Sequence, residues 1–339
     1  MNKTICYFGD YDSTYGRTKV MIYGLRESGA TVVECRVDPK DSYKYFKLYK
    51  KYHELGVSPD VVIIGFSDTR FMPFFARLIL RGPIIVWDPL FSFYDNWVFD
   101  RQLVREHSIK ALYHWTIDWL SCRVVDRIIL DLFEHINFFV QEFHLSSKKF
   151  IRSFISADTQ IFFPRQKKTD QENKFCVEYH GKYIPVQGVD VIVRAAKLLE
   201  YDLTIKFVLI GGGQTYNKVR KLVHELGVSN IEFLPNLPVE ELPRYIAQAD
   251  VCMGLIGDIP RVDRAIPNKL YEAAAMARIS INADAAGIKE VFTDGQDVVL
   301  IKRGSPEDLA AKIVFLKNNP EERLRLANNA YQTFMARCT

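Results

Sequence analysis

Lys269 and Glu272 are the pair in this chain whose types and spacing best suit a defined piece of chemistry. In the stretch PNKLYEAAAMARISINADAAGIKE, residues 267–290, Pro267 and Asn268 read as a helix start. Proline fits the first turn and asparagine caps it. Lys269 then falls in that first turn, where the helix dipole disfavours a cation by a few tenths to about 1 kcal/mol, so an anion is expected beside it. Glu272, on the same face, is placed to accept hydrogen bonds from paired hydroxyls such as those of a ribose. A nucleotide diphosphate carries both groups. Taken alone, the two residues also fit a solvated lysine beside a dipole-compatible glutamate, so the neighbouring loops have to decide.

Two of those loops are built for close approach. In EYHGKYIPVQGVDVIVRAAKLL, Glu178 to Leu199, a strand ends at Tyr179, Gly181 lets the backbone approach a ligand, and Gly188 opens the next helix. In VLIGGGQTYNKVRKLV, residues 208–223, Gly211, Gly212 and Gly213 join a strand to a helix and offer amide N–H groups and a helix N-terminus to an anion. This is not a dinucleotide fingerprint, since G-x-G-x-x-G would need glycine where Tyr216 stands. Without a ligand, each is an ordinary βα turn.

Together with its frame, the Lys269–Glu272 segment resembles the retaining GT-B glycosyltransferases of family 4. The resemblance covers most of the chain and is strongest over 174–335. It implies that Glu272 holds the ribose of a sugar nucleotide. A second Glu, which usually contacts the donor sugar, would stand eight residues earlier, where this chain has Arg264. The E-x7-E signature is thus half present. The loop at Gly181 is similar to the family's donor loop, whose two cations hold the pyrophosphate. Lys182 fills the first basic position and Gln187, a neutral donor, the second. By the same resemblance Gly211 to Gly213 line the nucleotide pocket, the backbone from Leu234 to Leu237 meets the base, and Asn268 and Leu270 flank the phosphate lysine. Asp258, Asp263 and Arg264 are candidate sugar or phosphate contacts, and each also fits an exposed loop charge. In the first half, Arg17 begins a helix from which it could reach a phosphate or acceptor. Asp88 takes roughly the place of the family's His beside the reacting carbon, with Ser92, Tyr94 and Asp95 clustered near it. His107 and His114 sit in what reads as a long helix and look structural.

The elements that must position these groups follow from patterning. A chain of 339 residues with 48% hydrophobic content supplies two ordinary domain cores. Lys plus Arg number 45 against 41 for Asp plus Glu, for a net charge of +4. The balance is 21 against 19 over 1–163 and 24 against 22 over 164–339, so neither half is a basic nucleic-acid module. The six cysteines lack C-x-x-C spacing and read as reduced, mostly buried thiols rather than a zinc site. Apolar β-rich runs alternate with amphipathic ones, the mark of βα units. Strands are expected near 3–8, 31–37, 60–64, 83–87, 127–130 and 149–155, then near 174–179, 204–210, 230–234, 250–255, 279–282 and 297–301. The polar stretch 156–173 separates the halves. The expected fold is α/β, GT-B: two Rossmann-like doubly wound domains facing a shared cleft, 1–163 on the acceptor side and 164–339 on the donor side.

No signal peptide is expected at the N-terminus, and the final helix, 320–336, leaves a short or absent return segment. The longest apolar region, 71–87, is interrupted by Arg77, Arg81 and Pro83 and falls short of a membrane span. The segment KDSYKYFKLYKKYHELG, 40–56, puts five lysines and five aromatic residues on one expected helix, a composition that admits contact with an anionic membrane. The expected activity is retaining glycosyl transfer from a nucleotide-diphosphate sugar to a glycan or lipid-linked acceptor, in polysaccharide biosynthesis. It would need no cofactor beyond the donor, no metal and no nucleic acid, and would act in the cytoplasm or peripherally at the inner membrane face. Two alternatives stay open. One is a non-catalytic GT-B scaffold, favoured by Arg264 and Gln187, and the other is a sugar-nucleotide epimerase.

Overall fold

The computed structural model describes residues 3–167 and 174–339, so part of the expected linker, 168–173, lies outside the described residues. The chain forms two compact units, Met1–Val98 with Gln102–Phe154, and Phe99–Arg101 with Ile155–Thr339.

In the first unit the order is β1 (Thr4–Gly9), α1 (Gly16–Glu27), β2 (Thr31–Arg36), α2 (Lys44–His53), β3 (Val61–Ile64), α3 (Met72–Ile79), β4 (Ile84–Trp87), a one-turn α4 (Phe93–Asp95), α5 (Ile109–Val124), β5 (Arg127–Leu130), α6 (Phe133–Phe143) and β6 (Phe150–Arg152). All pairings are parallel, in the order β2-β1-β3-β4-β5-β6. Runs such as VVII and IIVW are apolar at every position because helices cover both faces of a parallel sheet. One face packs Cys6, Phe8, Ile64, Trp87 and Phe139 into the larger core. The other holds Tyr7, Tyr11, Ile63, Val86 and Ile129.

The second unit runs β7 (Phe175–Lys182), α7 (Val189–Leu198), β8 (Ile205–Gly212), α8 (Tyr216–Leu226), β9 (Ile231–Leu234), α9 (Leu242–Gln248), β10 (Val251–Met253), α10 (Asn268–Ala275), β11 (Ser280–Ala283), β12 (Val299–Ile301), α11 (Pro306–Asn318) and α12 (Pro320–Arg337). Its parallel sheet is ordered β12-β11-β10-β7-β8-β9, the doubly wound Rossmann arrangement. Strands β7 and β8 extend beyond their expected ends, with Gly181 paired to Gly211 and Lys182 to Gly212. Only glycine allows this, since a Cβ on Gly211 would lie 2.0 Å from the Gly181 carbonyl oxygen.

The six cysteines are buried free thiols. Among the described residues no helix is long and apolar enough to cross a membrane.

Candidate functional site

In the second sheet the strand order reverses between β7 and β10, which opens a crevice at their carboxyl ends. The loop after β7 and the loop before α10 meet there. Gly188 adopts φ +64, and a Cβ on it would lie 2.4 Å from the Gly257 amide nitrogen, so the two loops touch only because the residue is glycine. The start of α10 differs from the sequence expectation. Pro267 is the N-cap and makes no side-chain cap, so Asn268 is the first helical residue rather than the capping one. Glu272 is therefore fifth in the helix, in its second turn.

Lys269 is not a solvated first-turn lysine. Its side chain is 5% exposed, with Nζ donating to Gln187 Oε1 and lying 4.4 Å from the centre of the Tyr179 ring. Burial drives its pKa down to about 7, against the pull of Glu178 and Glu272. Oε1 of Gln187 also lies 3.4 Å from the Tyr179 hydroxyl. Tyr179 reaches Lys182 as well, donating to its carbonyl at 2.9 Å, and the Lys182 side chain is exposed at the end of β7. Lys182 at the end of β7, Gln187 in the loop after it and Lys269 in the first turn of α10 thus lie around one crevice.

The remaining donor-side candidates sort by what already holds them. Gly213, at φ +146, packs against the Tyr183 backbone, and a Cβ on Gly212 would lie 3.5 Å from Asn236. Leu237 is half-buried against Cys176, Val208 and Ile210. Leu270 is buried at 2% exposure, which leaves its side chain to the core. Asp263 is committed to structure, since its carboxylate takes the Ala286 amide at 3.0 Å and pairs with Arg303. Asp258 is exposed, and Arg264 is half-buried at the end of a 3-10 turn, Pro260–Arg264.

In the first unit the two candidates find each other. Arg17 Nε and Nη2 donate to both oxygens of Asp88 at 2.8 to 3.1 Å, and the side chains are 3% and 0% exposed. Asp88 therefore ties the end of β4 to α1 through Arg17. Arg17 is not extended toward a phosphate, although its buried Nη1 has no protein partner. Ser92 caps α4 and donates to Asp118 Oδ2 at 2.6 Å, while the Tyr94 amide donates to the same oxygen at 2.9 Å. His107 lies before α5 and is exposed, contrary to the expected long helix, whereas His114 is buried in it and stacked on Trp97.

Sequence reasoning missed Glu178, His180 and Asp118. His180 Nδ1 is 2.8 Å from Glu178 Oε1, and Nε2 is 2.7 Å from Glu272 Oε2. A signal existed: an acid and a histidine two apart inside a strand buried on both faces need each other or a partner. Asp118 had no comparable signal, as one acid in an amphipathic helix looks solvated.

Residues 160–333 match the family described as Glycosyl transferases group 1. An uncharacterised glycosyltransferase of Methanocaldococcus jannaschii is 30% identical over 149 residues, 44% of this chain and 40% of that protein. The N,N'-diacetylbacillosaminyl-diphospho-undecaprenol alpha-1,3-N-acetylgalactosaminyltransferase of Campylobacter jejuni is 24% identical over 197 residues, 56% of this chain and 47% of that protein. The match thus spans less than half the length of either curated relative. Among solved structures, Anabaena HepE in complex with UDP and glucose is similar with a TM-score of 0.70, over 99% of this chain and 95% of that one, at 16% identity. At that identity the likeness establishes the fold, two Rossmann-like units of the GT-B class.

Proposed function

Since the chain belongs to the Glycosyl transferases group 1 family, we propose that it moves a sugar, with retention, from a nucleotide-diphosphate donor to a glycan or lipid-linked acceptor. The observation that carries this reading is the buried Lys269 amine at the crevice of the second sheet, beside the Gln187 amide and one turn from Glu272. Lys269 and Lys182 neutralise the diphosphate, Gln187 donates to it, and Glu272 accepts from the ribose hydroxyls. Arg264 adds a cation at the end of the adjoining loop. As the bond from sugar C1 to the phosphate oxygen breaks, its electron pair goes to the diphosphate, where these groups stabilise the growing charge. The acceptor oxygen bonds to C1 on the same face and passes its proton to the departing phosphate oxygen, so no protein nucleophile is required.

A lipid-linked acceptor is supported by the relative from Campylobacter jejuni, whose name specifies a diphospho-undecaprenol substrate. It is also supported by α2 and its N-cap, where Tyr43, Phe46 and Tyr49 are 72%, 67% and 47% exposed beside four helix lysines, including those at the last turn. The test is release of nucleotide diphosphate from a panel of UDP- and GDP-sugars, with a membrane lipid extract as acceptor source. One donor should give release in the wild type and little with Glu272→Gln. Tight binding of none of the diphosphates would favour a non-catalytic partner, the reading to which Arg264 and Gln187 lend weight.

A further inference from the structure

Glu178 and His180 leave β7 on the same face, two residues apart, opposite the face on which Val177 and Tyr179 enter the main core. They are 1% and 5% exposed, so the carboxylate and the ring must be neutralised within the protein. Each ring nitrogen of His180 faces a carboxylate oxygen, Glu178 at 2.8 Å and Glu272 at 2.7 Å. A neutral imidazole carries one N–H and one bare lone pair. In either tautomer, one nitrogen would then meet a carboxylate lone pair to lone pair. With both carboxylates ionised, only the imidazolium donates on both sides.

We propose that His180 is a positioning residue: as an imidazolium clamped between Glu178 and Glu272, it fixes the Glu272 carboxylate by Oε2 and leaves Oε1 to accept the ribose hydroxyls of the donor. The inference rests on Glu272 being the ribose contact. Its specificity consequence is preference for a ribonucleotide over a deoxyribonucleotide, because a fixed acceptor rewards the full hydroxyl pair and a swinging one does not. The charges close locally. From α10, Lys269 feels both glutamates, and from β10 the Cys252 thiol adjoins Glu178. Burial by itself would strip the proton from the ring, but Glu178 and Glu272 together hold its pKa up at about 9. The bracket therefore stays charged at neutral pH.

The test compares affinities for UDP, GDP and ADP, each beside its 2′-deoxy counterpart, in wild type, His180→Gln and Glu272→Gln, with 15N NMR of the histidine rings. The wild type is expected to prefer the ribo form by about tenfold or more, the scale of a hydrogen bond to a charged acceptor. In His180→Gln that preference should fall below about threefold with deoxy affinity nearly unchanged, on the same scale. The wild-type His180 ring should show both nitrogens protonated at pH 7.5. If His180→Gln does not fold, Glu178→Gln serves, since it removes the negative charge of one arm of the bracket and should shrink the same preference. Full ribo preference in a folded His180→Gln protein, or a bare ring nitrogen at pH 7.5, overturns the bracket. A ribo preference that survives Glu272→Gln, or no binding of any diphosphate to wild type, overturns the ribose reading itself and the bracket with it.

Discussion

Lys269 combines a buried stem with an ammonium that burial disfavours, and the two halves of the side chain pull in different directions. With its pKa near 7, the amine is mostly neutral at pH 8 in the free protein. A bound diphosphate would restore the charge, so binding should take up a proton. Calorimetry at pH 8 in buffers of different ionisation enthalpy should show uptake approaching one proton per diphosphate, and none in Lys269→Met. Zero uptake in wild type would remove Lys269 from the phosphates. The same residue shapes stability. Its folded pKa of about 7 lies below the ordinary 10.5, so its contribution improves as pH climbs through that interval. His180 is the reverse: raised from 6.5 to about 9, it stabilises fully below 6.5 and loses that contribution as pH rises to 9. The two oppose each other between 7 and 9. Lys269→Met, which keeps the volume, should therefore expose a stability that falls with pH across this window, whereas Lys269→Ala adds a cavity cost of about 1 to 3 kcal/mol.

Asp118 works at the scale of the element, tying α5 to the short α4 that follows β4. Its Oδ2 receives Ser92 and the Tyr94 amide, while the buried Oδ1 has no partner. Burial pushes its pKa up from 3.8 to about 7, more than the two donors and Arg70 lower it. The folded state thus holds a proton that the unfolded chain gives up, and each unit of such displacement is worth about 1.4 kcal/mol. The contribution is present below about pH 4 and is lost as pH rises through 7. Asp118→Asn keeps one oxygen to accept both hydrogen bonds and removes the titration. Chemical denaturation should find it more stable than wild type at pH 8 and similar at pH 4. Equal stability at both values would mean that the buried Oδ1 is satisfied by solvent.

For the whole molecule, net charge matters less than where its cations are already spent. Of the lysines expected to face a membrane from α2, Lys44 pairs with Asp10, Lys47 with Asp41 and Lys50 with Glu54. Any long-range attraction would be weaker than the count of lysines implies, which makes Tyr43, Phe46 and Tyr49 the main groups for the proposed membrane contact. Flotation with anionic vesicles should find binding that largely survives added salt and is lost in a Tyr43→Ser, Phe46→Ser double variant, with diphosphate affinity unchanged. Binding abolished by modest salt, with the aromatics intact, would return the lysines to the leading role.

The reversal of chain order that builds the second crevice is set by sheet pairing, but all twelve strands among the described residues lie where apolar runs put them. That much was legible because strand-forming runs, helix starts and glycine turns are local, set by neighbours a few residues away. Lys269 and Glu272 were legible as candidates on the same grounds, and Gln187 through the family resemblance of its loop. Their states were not. Whether a lysine is solvated or sealed against Tyr179 depends on two segments 82 residues apart meeting. Arg17 closes on Asp88 across 71 residues, and His180 reaches Glu272 across 92. A charged side chain's role is decided by which distant partner shares its desolvation. The sequence determined the frame and the residue types within it, and the tertiary structure decided which of those charges are held by one another.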